Sequence, residues 1–428
     1  MPAGGLSALP YGAGHLDLPT ALARLDPVES IGPAEPASVL PAAKMEDAVR
    51  QLAEAVLTRS AGNRQSLLIV VSDASRRTGV QHYLPGLVAG LEERGRFDIR
   101  FIVATGLHRR PDRDEERRIL GRDLAARYPV FHHDPDDRDH LVELGTTTRG
   151  TAVEVNRHLL EHGQVLLTGA VGFHYHAGFS GGRKSLVPGL AGRKTIVGNH
   201  LKTLRGDGSR HPGSRAGALD GNPVHEDMLE AASMVSPPLT VNAVLDPDGS
   251  FEGIWAGEMV QAHGAACRYL LRTRALRLAP RRLVVVAAGG YPTDINLIQA
   301  HKAFEAAFPA VTSGGTVILA AACPEGLGDE EFRQGILAGS EAELAASLLS
   351  DYRVYGQTAL AWRRKLSECR LILVSGLEPD LVCKTGAEPA ASLAEASEMA
   401  AAGGDRVEPG WLFSNGSRWL VEPERTAV

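Results

Sequence analysis

Ser66-Leu-Leu-Ile-Val-Val-Ser72, followed at once by Asp73-Ala-Ser-Arg76-Arg77-Thr78, is the stretch that decides the fold. An unbroken apolar run of this length, closed by polar residues, suits a strand buried on both faces. Such strands belong to parallel sheets covered by helices. In open sheets of this kind, ligands bind just beyond the carboxyl ends of the strands, which is where Asp73 and Arg76 stand.

The same alternation extends outward from that run. Before it, Leu40 to Ser60 reads as an amphipathic helix, with Met45, Val49, Leu52 and Val56 at helical spacing. After it come a helix from about Gln81 to Arg94, a strand Asp98 to Ala104 ending in Thr105-Gly-Leu-His108, and a helix from about Pro111 to Tyr128. A short strand is expected around Pro129 to His132, and a buried one from Val165 to Ala170. Three strand ends therefore deliver Asp73 with Arg76, His108, and His174 toward one edge. Thr203 to Pro223 reads as a long loop, Val224 to Met234 as a helix, and Leu239 to Leu245 as a strand closed by the turn Asp246-Pro-Asp-Gly249.

Near Ala275 the pattern resets. Leu283 to Ala288, Val317 to Ala322 and Leu371 to Ser375 are further buried-strand candidates separated by helical patterns. The expectation is an α/β protein of two α/β domains with mainly parallel sheets and a ligand cleft between them, the first over 1–275 and the second over 276–428. Glu422 to Val428 is expected to fray.

Composition narrows the function classes. The chain has 428 residues and a net charge of −6, and its densest charged run, Arg109 to Arg118, mixes both signs, so nothing marks a nucleic-acid partner. The first residues lack a basic n-region and a sustained apolar h-region, and the longest apolar runs are too short to span a bilayer. The four cysteines, Cys267, Cys323, Cys369 and Cys383, lack the paired spacing of a zinc ribbon or disulfide framework. A cytoplasmic protein without a membrane segment is expected.

The densest chemistry lies in His174-Tyr-His-Ala-Gly-Phe-Ser-Gly-Gly-Arg-Lys184-Ser, continuing to Asn199-His200. Gly178, Gly181 and Gly182 can take positive φ and turn successive N–H groups toward an anion. An ATP-binding P-loop needs glycine directly before its lysine, and Arg183 stands there instead. A plain connecting turn is the competing reading, and Lys184 with its flanking histidines weighs against it. His132, His133 and His140 lie among aspartates and read as a solvated loop rather than a metal site. His176, two residues from His174, lies on the same face in an extended segment. In the second half, Asp294 is a candidate helix cap, placing Gln299 and Lys302 three apart on one face.

Taken together, these motifs resemble the nickel-pincer lactate racemase family of 2-hydroxyacid racemases and epimerases. The resemblance rests on Asp73-x-Ser-Arg76, Thr105-Gly-x-His108, His174, Ala177-Gly-Phe-Ser-Gly-Gly-x-Lys184, Pro188-Gly189, Asn199-His200, Gly221-Asn-Pro223 and Gln299-x-x-Lys302, between about Tyr11-Gly12 and Phe304. It implies that Lys184 is joined through a thioamide to a pyridinium mononucleotide holding nickel through two sulfurs and a ring carbon, with His200 as the protein's nickel ligand. It further implies that Asp73, Gly178, Ser180, Gly181 and Gly182 hold the nucleotide, that His108 and His174 are the acid/base pair, and that Arg76, Gln299 and Lys302 hold the substrate. On this reading the first domain binds the cofactor and the second completes the substrate site. Partners would be a small 2-hydroxyacid and the enzymes that make the cofactor.

The chemistry agrees with that implication. The hydrogen on C2 of a hydroxyacid is too weakly acidic for a simple base, so a hydride acceptor supplied by a cofactor is the reasonable device. Two histidines suit two enantiomers, and an arginine with a lysine suits a carboxylate. The sequence also departs from the family. Asp-x-Thr-Arg-Pro becomes Asp73-Ala-Ser-Arg76-Arg77, and Asp351 to Leu366, where relatives place a tryptophan and a His-Lys pair, offers only Trp362. Arg77, His176 and His301 favour a substrate more polar than lactate. Two other readings compete: a mononuclear zinc hydrolase using His174, His176 and His200, and a non-catalytic nucleotide-binding protein.

Overall fold

A computed structural model describes residues 7–18, 28–31, 39–60, 66–95, 97–402 and 410–424. By contact density these fall into two compact units. One takes in the described residues of 36–203 and 211–272, and the other those of 1–35, 204–210 and 273–428. One break between the units falls between Arg272 and Thr273. The described residues near the start of the chain group with the later ones: Val28–Ile31 pairs in parallel with Gly410–Phe413 and so joins the later sheet. A four-residue strand reads weakly on its own, and nothing local announces a partner nearly four hundred residues away. The segment 204–210 makes the same crossing.

In the unit spanning 36–272, six strands lie in the order Phe251–Glu258, Leu239–Leu245, Gln164–Ala170, Ser66–Ser72, Asp98–Ala104, Val130–His132. All neighbours run parallel except the edge strand Phe251–Glu258. Numbered along the chain, this is the doubly wound order three, two, one, four, five, six, which reverses direction between Ser66–Ser72 and Gln164–Ala170. The crevice at that reversal is where such sheets bind ligands. The sheet is the core: Leu67, Ile69 and Val71 pack with Leu52 and Val56 of the helix Ala42–Ser60, and with Tyr83, Leu87 and Leu91 of Val80–Glu92. Each such buried side chain contributes about 1.5–3 kcal/mol.

The expected helix from Pro111 to Tyr128 is two helices, Arg113–Leu120 and Arg122–Arg127. Gly121 between them sits at φ 83°, outside helical space. Pro111 precedes the helix, whose cap is Asp112 with Glu115 closing a capping box.

The second unit carries six parallel strands in the order Glu388–Ala390, Arg370–Val374, Val311–Ala320, Arg281–Ala287, Gly410–Phe413, Val28–Ile31. Leu420–Pro423 pairs with Ala275–Leu278, so Glu422 is held in a ladder, while 425–428 lie outside the described residues. Asn296, not Asp294, caps the helix Leu297–Ala307, its side chain accepting the Gln299 N–H. Asp294 instead accepts the N–H groups of Gly12 and Ala322 at 2.6 and 3.1 Å. All four cysteines are free thiols, and among the described residues no helix is long and apolar enough to cross a membrane.

Candidate active site

The strand ends flanking the reversal carry most of the expected residues. Past Ser66–Ser72 the chain makes a tight turn in which one Asp73 oxygen accepts the Ser75 N–H at 2.7 Å. The other oxygen meets His108 Nδ1 at 3.0 Å, arriving from the end of the neighbouring strand Asp98–Ala104. Asp73 is buried, and burial opposes its charge. The bond and charge of His108, the Ser75 bond and the charge of Arg76 outweigh that and hold its pKa at about 2. Asp73 is therefore an acceptor, and His108 donates to it through Nδ1–H, leaving Nε2 with a lone pair.

His174 sits on a short hairpin, Phe173–His174 against Gly178–Phe179. The hairpin tip is anchored through the His176 carbonyl, which accepts from Ser214 Oγ at 3.1 Å and Asn222 Nδ2 at 2.9 Å. Within the hairpin, His174 Nδ1 accepts the backbone N–H groups of His176 and Ala177, both at 3.2 Å. A neutral His174 consequently carries its proton on Nε2, opposite to His108. Burial, then the charges of Lys184, His176, Arg76 and His200, push its pKa well below the usual imidazole value.

The glycine turn is built for packing as much as for a ligand. Ser180 N–H donates to Gly172 O, its hydroxyl bridges Ala170 O and Gly172 N–H, and Gly182 N–H donates to Asn242 Oδ1 at 2.9 Å. Those groups are committed within the protein. The glycines are nonetheless required: at Gly181 and Gly182, both at positive φ, a Cβ would lie 2.8 Å from Asn242 and from the His263 ring. What the turn presents is Lys184, partly exposed on the 3₁₀ segment Gly182–Ser185. Arg183 points inward, fully buried, and donates to Ala177 O at 2.7 Å beside His263 Nε2 at 3.0 Å.

His200 closes the helix Arg193–His200. Its Nδ1–H donates to Ile196 O at 2.8 Å, so Nε2 keeps a lone pair. Burial, then the Lys184 charge, lower its pKa to about 4, and the ring is neutral at pH 7. Behind it, Asn199 Nδ2 donates to buried Asp227 at 2.8 Å, and Asp227 also accepts from Thr147 and Thr151. The motifs Asn199-His200 and Gly221-Asn-Pro223 do not by themselves announce these anchoring roles. Asp227 carried no signal, since a lone helical aspartate reads as surface.

Arg76 is exposed, its charge reaching Asp73 and His174. Gln299 and Lys302 belong to the other unit, where Lys302 Nζ donates to Gln299 Oε1 at 2.5 Å. Two residues read as substrate-facing are otherwise engaged. Arg77 donates to Pro247 O at 2.7 Å, and His301 is fully buried near Glu305, Lys365 and Trp362. Trp362 is likewise a core residue, its indole N–H on Thr385 O at 3.0 Å. His133 bonds Ala191 O, while His132 and His140 pair with Glu116 and Asp137 separately. Among the described residues, no group of three or more His, Cys, Asp or Glu converges on a metal position. The relatives below do not favour the zinc hydrolase reading.

The family model described as the lactate racemase N-terminal domain matches residues 16–211, and that of the lactate racemase C-terminal domain matches 277–407. The lactate racemase of Thermoanaerobacterium thermosaccharolyticum is 30% identical over 273 residues, 64% of this chain and 63% of that protein, so the alignment spans just under two thirds of that relative. The lactate racemase of Lactiplantibacillus plantarum is 31% identical over 351 residues, 80% of this chain and 82% of that one. Among solved structures, the Thermoanaerobacterium lactate racemase apoprotein superposes with a TM-score of 0.87 at 25% identity, covering 97% of this chain and 99% of that one. A Thermotoga maritima protein, at a TM-score of 0.67 and 19% identity over 90% of this chain and 99% of that one, shares the fold.

Proposed function

The chain belongs to the lactate racemase family, and from that premise we propose that it inverts the C2 stereocentre of a 2-hydroxyacid using a nickel-pincer nucleotide joined to Lys184. The residues fit such a group. A ligating histidine needs a neutral ring whose second nitrogen is tied back, and His200 has both properties. Lys184 stands on a rigid turn with its side chain partly exposed, as a covalent anchor must. When bound, the nucleotide would supply a ring carbon able to take hydride from C2 and return it.

The protein's own part is proton handling and positioning. His108 Nε2, with its lone pair free, takes the hydroxyl proton, and the imidazolium so formed stays paired with Asp73. His174, carrying its proton on Nε2, donates a hydrogen bond to the substrate oxygen. Delivering a proton to the substrate oxygen would need His174 to take a second proton from solvent on Nδ1, giving up the His176 and Ala177 N–H contacts, while His108 releases its own to solvent; burial and the neighbouring cations oppose that charge in the free protein. Converting the Lys184 amine to a thioamide removes one of those cations, and a bound carboxylate adds a negative charge. Both changes move His174 toward its acid form. Arg76, Gln299 and Lys302 would hold the carboxylate. The same reading implies the cofactor-making enzymes as partners and a cytoplasmic site of action.

The observation that carries this reading is the opposed commitment of ring nitrogens: Nδ1 donates in His108 and His200 and accepts in His174. The test is to co-express the protein with the cofactor-making enzymes and offer single enantiomers of lactate, malate, larger 2-hydroxyacids and sugar acids. Chiral chromatography should show inversion of at least one. A fully loaded protein that inverts none would instead be a nucleotide-binding protein without this catalysis.

A further inference from the structure

We propose that Asp73 is the positioning residue of His108, fixing its tautomer so that Nε2 is a ready base. The inference rests on the racemase reading for its catalytic meaning, but its structural part stands alone. Resemblance assigns Asp73 to the nucleotide's ribose and phosphate region. The geometry adds a second role, because the carboxylate also has protein partners: one oxygen accepts Ser75 N–H at 2.7 Å and the other meets His108 Nδ1 at 3.0 Å. Asp73 is 6% exposed, so this pair is shielded from solvent.

The chain is arranged to hold this pair. Asp73 follows the central strand Ser66–Ser72, and His108 follows its parallel neighbour Asp98–Ala104, the two strands being in register from Ser66 opposite Asp98 to Ser72 opposite Ala104. Gly106 at φ 56° reverses the backbone after the second strand, and His108 N–H donates to Thr105 O at 2.9 Å, which brings the ring back over Asp73. Ser75 Oγ lies 3.4 Å from the same ring nitrogen. An ionised carboxylate can only accept, so Nδ1 must carry hydrogen and the lone pair must lie on Nε2.

The chemical consequence is specific. When the substrate O–H bond breaks, its proton forms the Nε2–H bond and leaves a positive imidazolium, and Asp73 stabilises that cation without taking a proton itself. An asparagine at position 73 can keep an oxygen for the Ser75 N–H, so the turn survives. It then has only an amide to offer His108, which removes both the charge and the preference for Nδ1–H. Loss of such a carboxylate partner lowers turnover on the order of 10²–10⁴-fold where an Asp-His pair works this way.

The experiment compares wild type with Asp73→Asn, each made with the cofactor pathway. Intact mass, nickel content and steady-state kinetics are measured on the loaded proteins, and ¹⁵N spectra of histidine-labelled protein on unloaded ones, with His108→Gln assigning the His108 signals. The expected result is an unchanged mass adduct and nickel content, KM within about threefold and kcat reduced on the order of 10²–10⁴-fold. The His108 population should also shift from Nδ1–H toward Nε2–H. Loss of the adduct in Asp73→Asn would overturn the proposal by tracing the lost turnover to cofactor loading. Undiminished kcat, or an unchanged His108 ¹⁵N pattern, would overturn it as well. Should loaded wild type turn over no 2-hydroxyacid, the racemase reading fails, and the unloaded spectra still decide whether Asp73 sets the tautomer.

Discussion

Lys184 and His200 divide two tasks that a single substitution can separate. On the proposed reading Lys184 makes a covalent bond to the nucleotide, and His200 offers only a lone pair. Protein made with the cofactor pathway should exceed its sequence mass by one nucleotide adduct, and Lys184→Ala should abolish that excess. His200→Ala should keep the adduct and lose most of the nickel, since only the lone pair is removed. Mass spectrometry with metal analysis of the same samples checks both, and a His200→Ala protein at full nickel occupancy would refute the ligand assignment. At this scale the sequence was legible where a strand end carries polar residues, as with Asp73 after Ser66–Ser72 and His108 after Asp98–Ala104. Partnerships were not legible. That Asp73 would meet His108, or that Arg77 would be spent on Pro247 O, depends on strand adjacency that no local pattern encodes.

The hairpin from Phe173 to Phe179 is the element on which the most depends, because it sets the His174 tautomer through its own backbone. Gly178 is its critical residue: it sits at φ 78°, and a Cβ there would lie 1.9 Å from Ala218 O. Neither the conformation nor the contact can be relieved by a side-chain movement, since both involve backbone. Gly178→Ala should therefore displace the hairpin from the loop that carries Ala218, at a cost of roughly 1–3 kcal/mol for the conformation alone. The sheet beneath does not depend on this glycine. The expected outcome is a folded protein, by circular dichroism, whose adduct formation falls much further than its denaturation midpoint. Equal loss of both would mean that the hairpin is integral to the core. Elements of this kind escape sequence reading because a two-residue strand has no periodicity. The long buried strands, by contrast, were readable almost to the residue, Ser66–Ser72 and Asp98–Ala104 among them.

For the whole molecule, the sequence announced an α/β architecture with mainly parallel sheets, because apolar runs and helical periods are local. It could not announce that the described residues before 36 and the segment 204–210 join the later unit, since that membership is set by long-range contacts. One such contact yields a testable energy. Arg210, at the end of the 204–210 segment, bonds Glu305 at 2.7 Å, and buried Lys365 pairs with the same carboxylate. Burial works against the Glu305 charge, but Lys365, then Arg210, overcome it and hold the carboxyl well below the usual carboxylate range. A depressed folded pKa contributes stability above the unfolded value of about 4.3, lost as pH falls through the folded value. At neutral pH, Glu305→Gln removes the charge and strands Lys365 as a buried cation, which costs about 3–5 kcal/mol. Lys365→Met strands Glu305 less completely, because Arg210 remains. The double variant Glu305→Gln/Lys365→Met should recover part of the loss, since neither buried group then lacks a counter-charge. Tryptophan fluorescence is the suitable probe: Trp362, Trp411 and Trp419 lie in this unit and only Trp255 in the other. Denaturation followed by that signal should rank wild type first, then the double variant and Lys365→Met, with Glu305→Gln lowest. A Glu305→Gln protein as stable as wild type would show that the carboxylate contributes no net stabilisation to this unit.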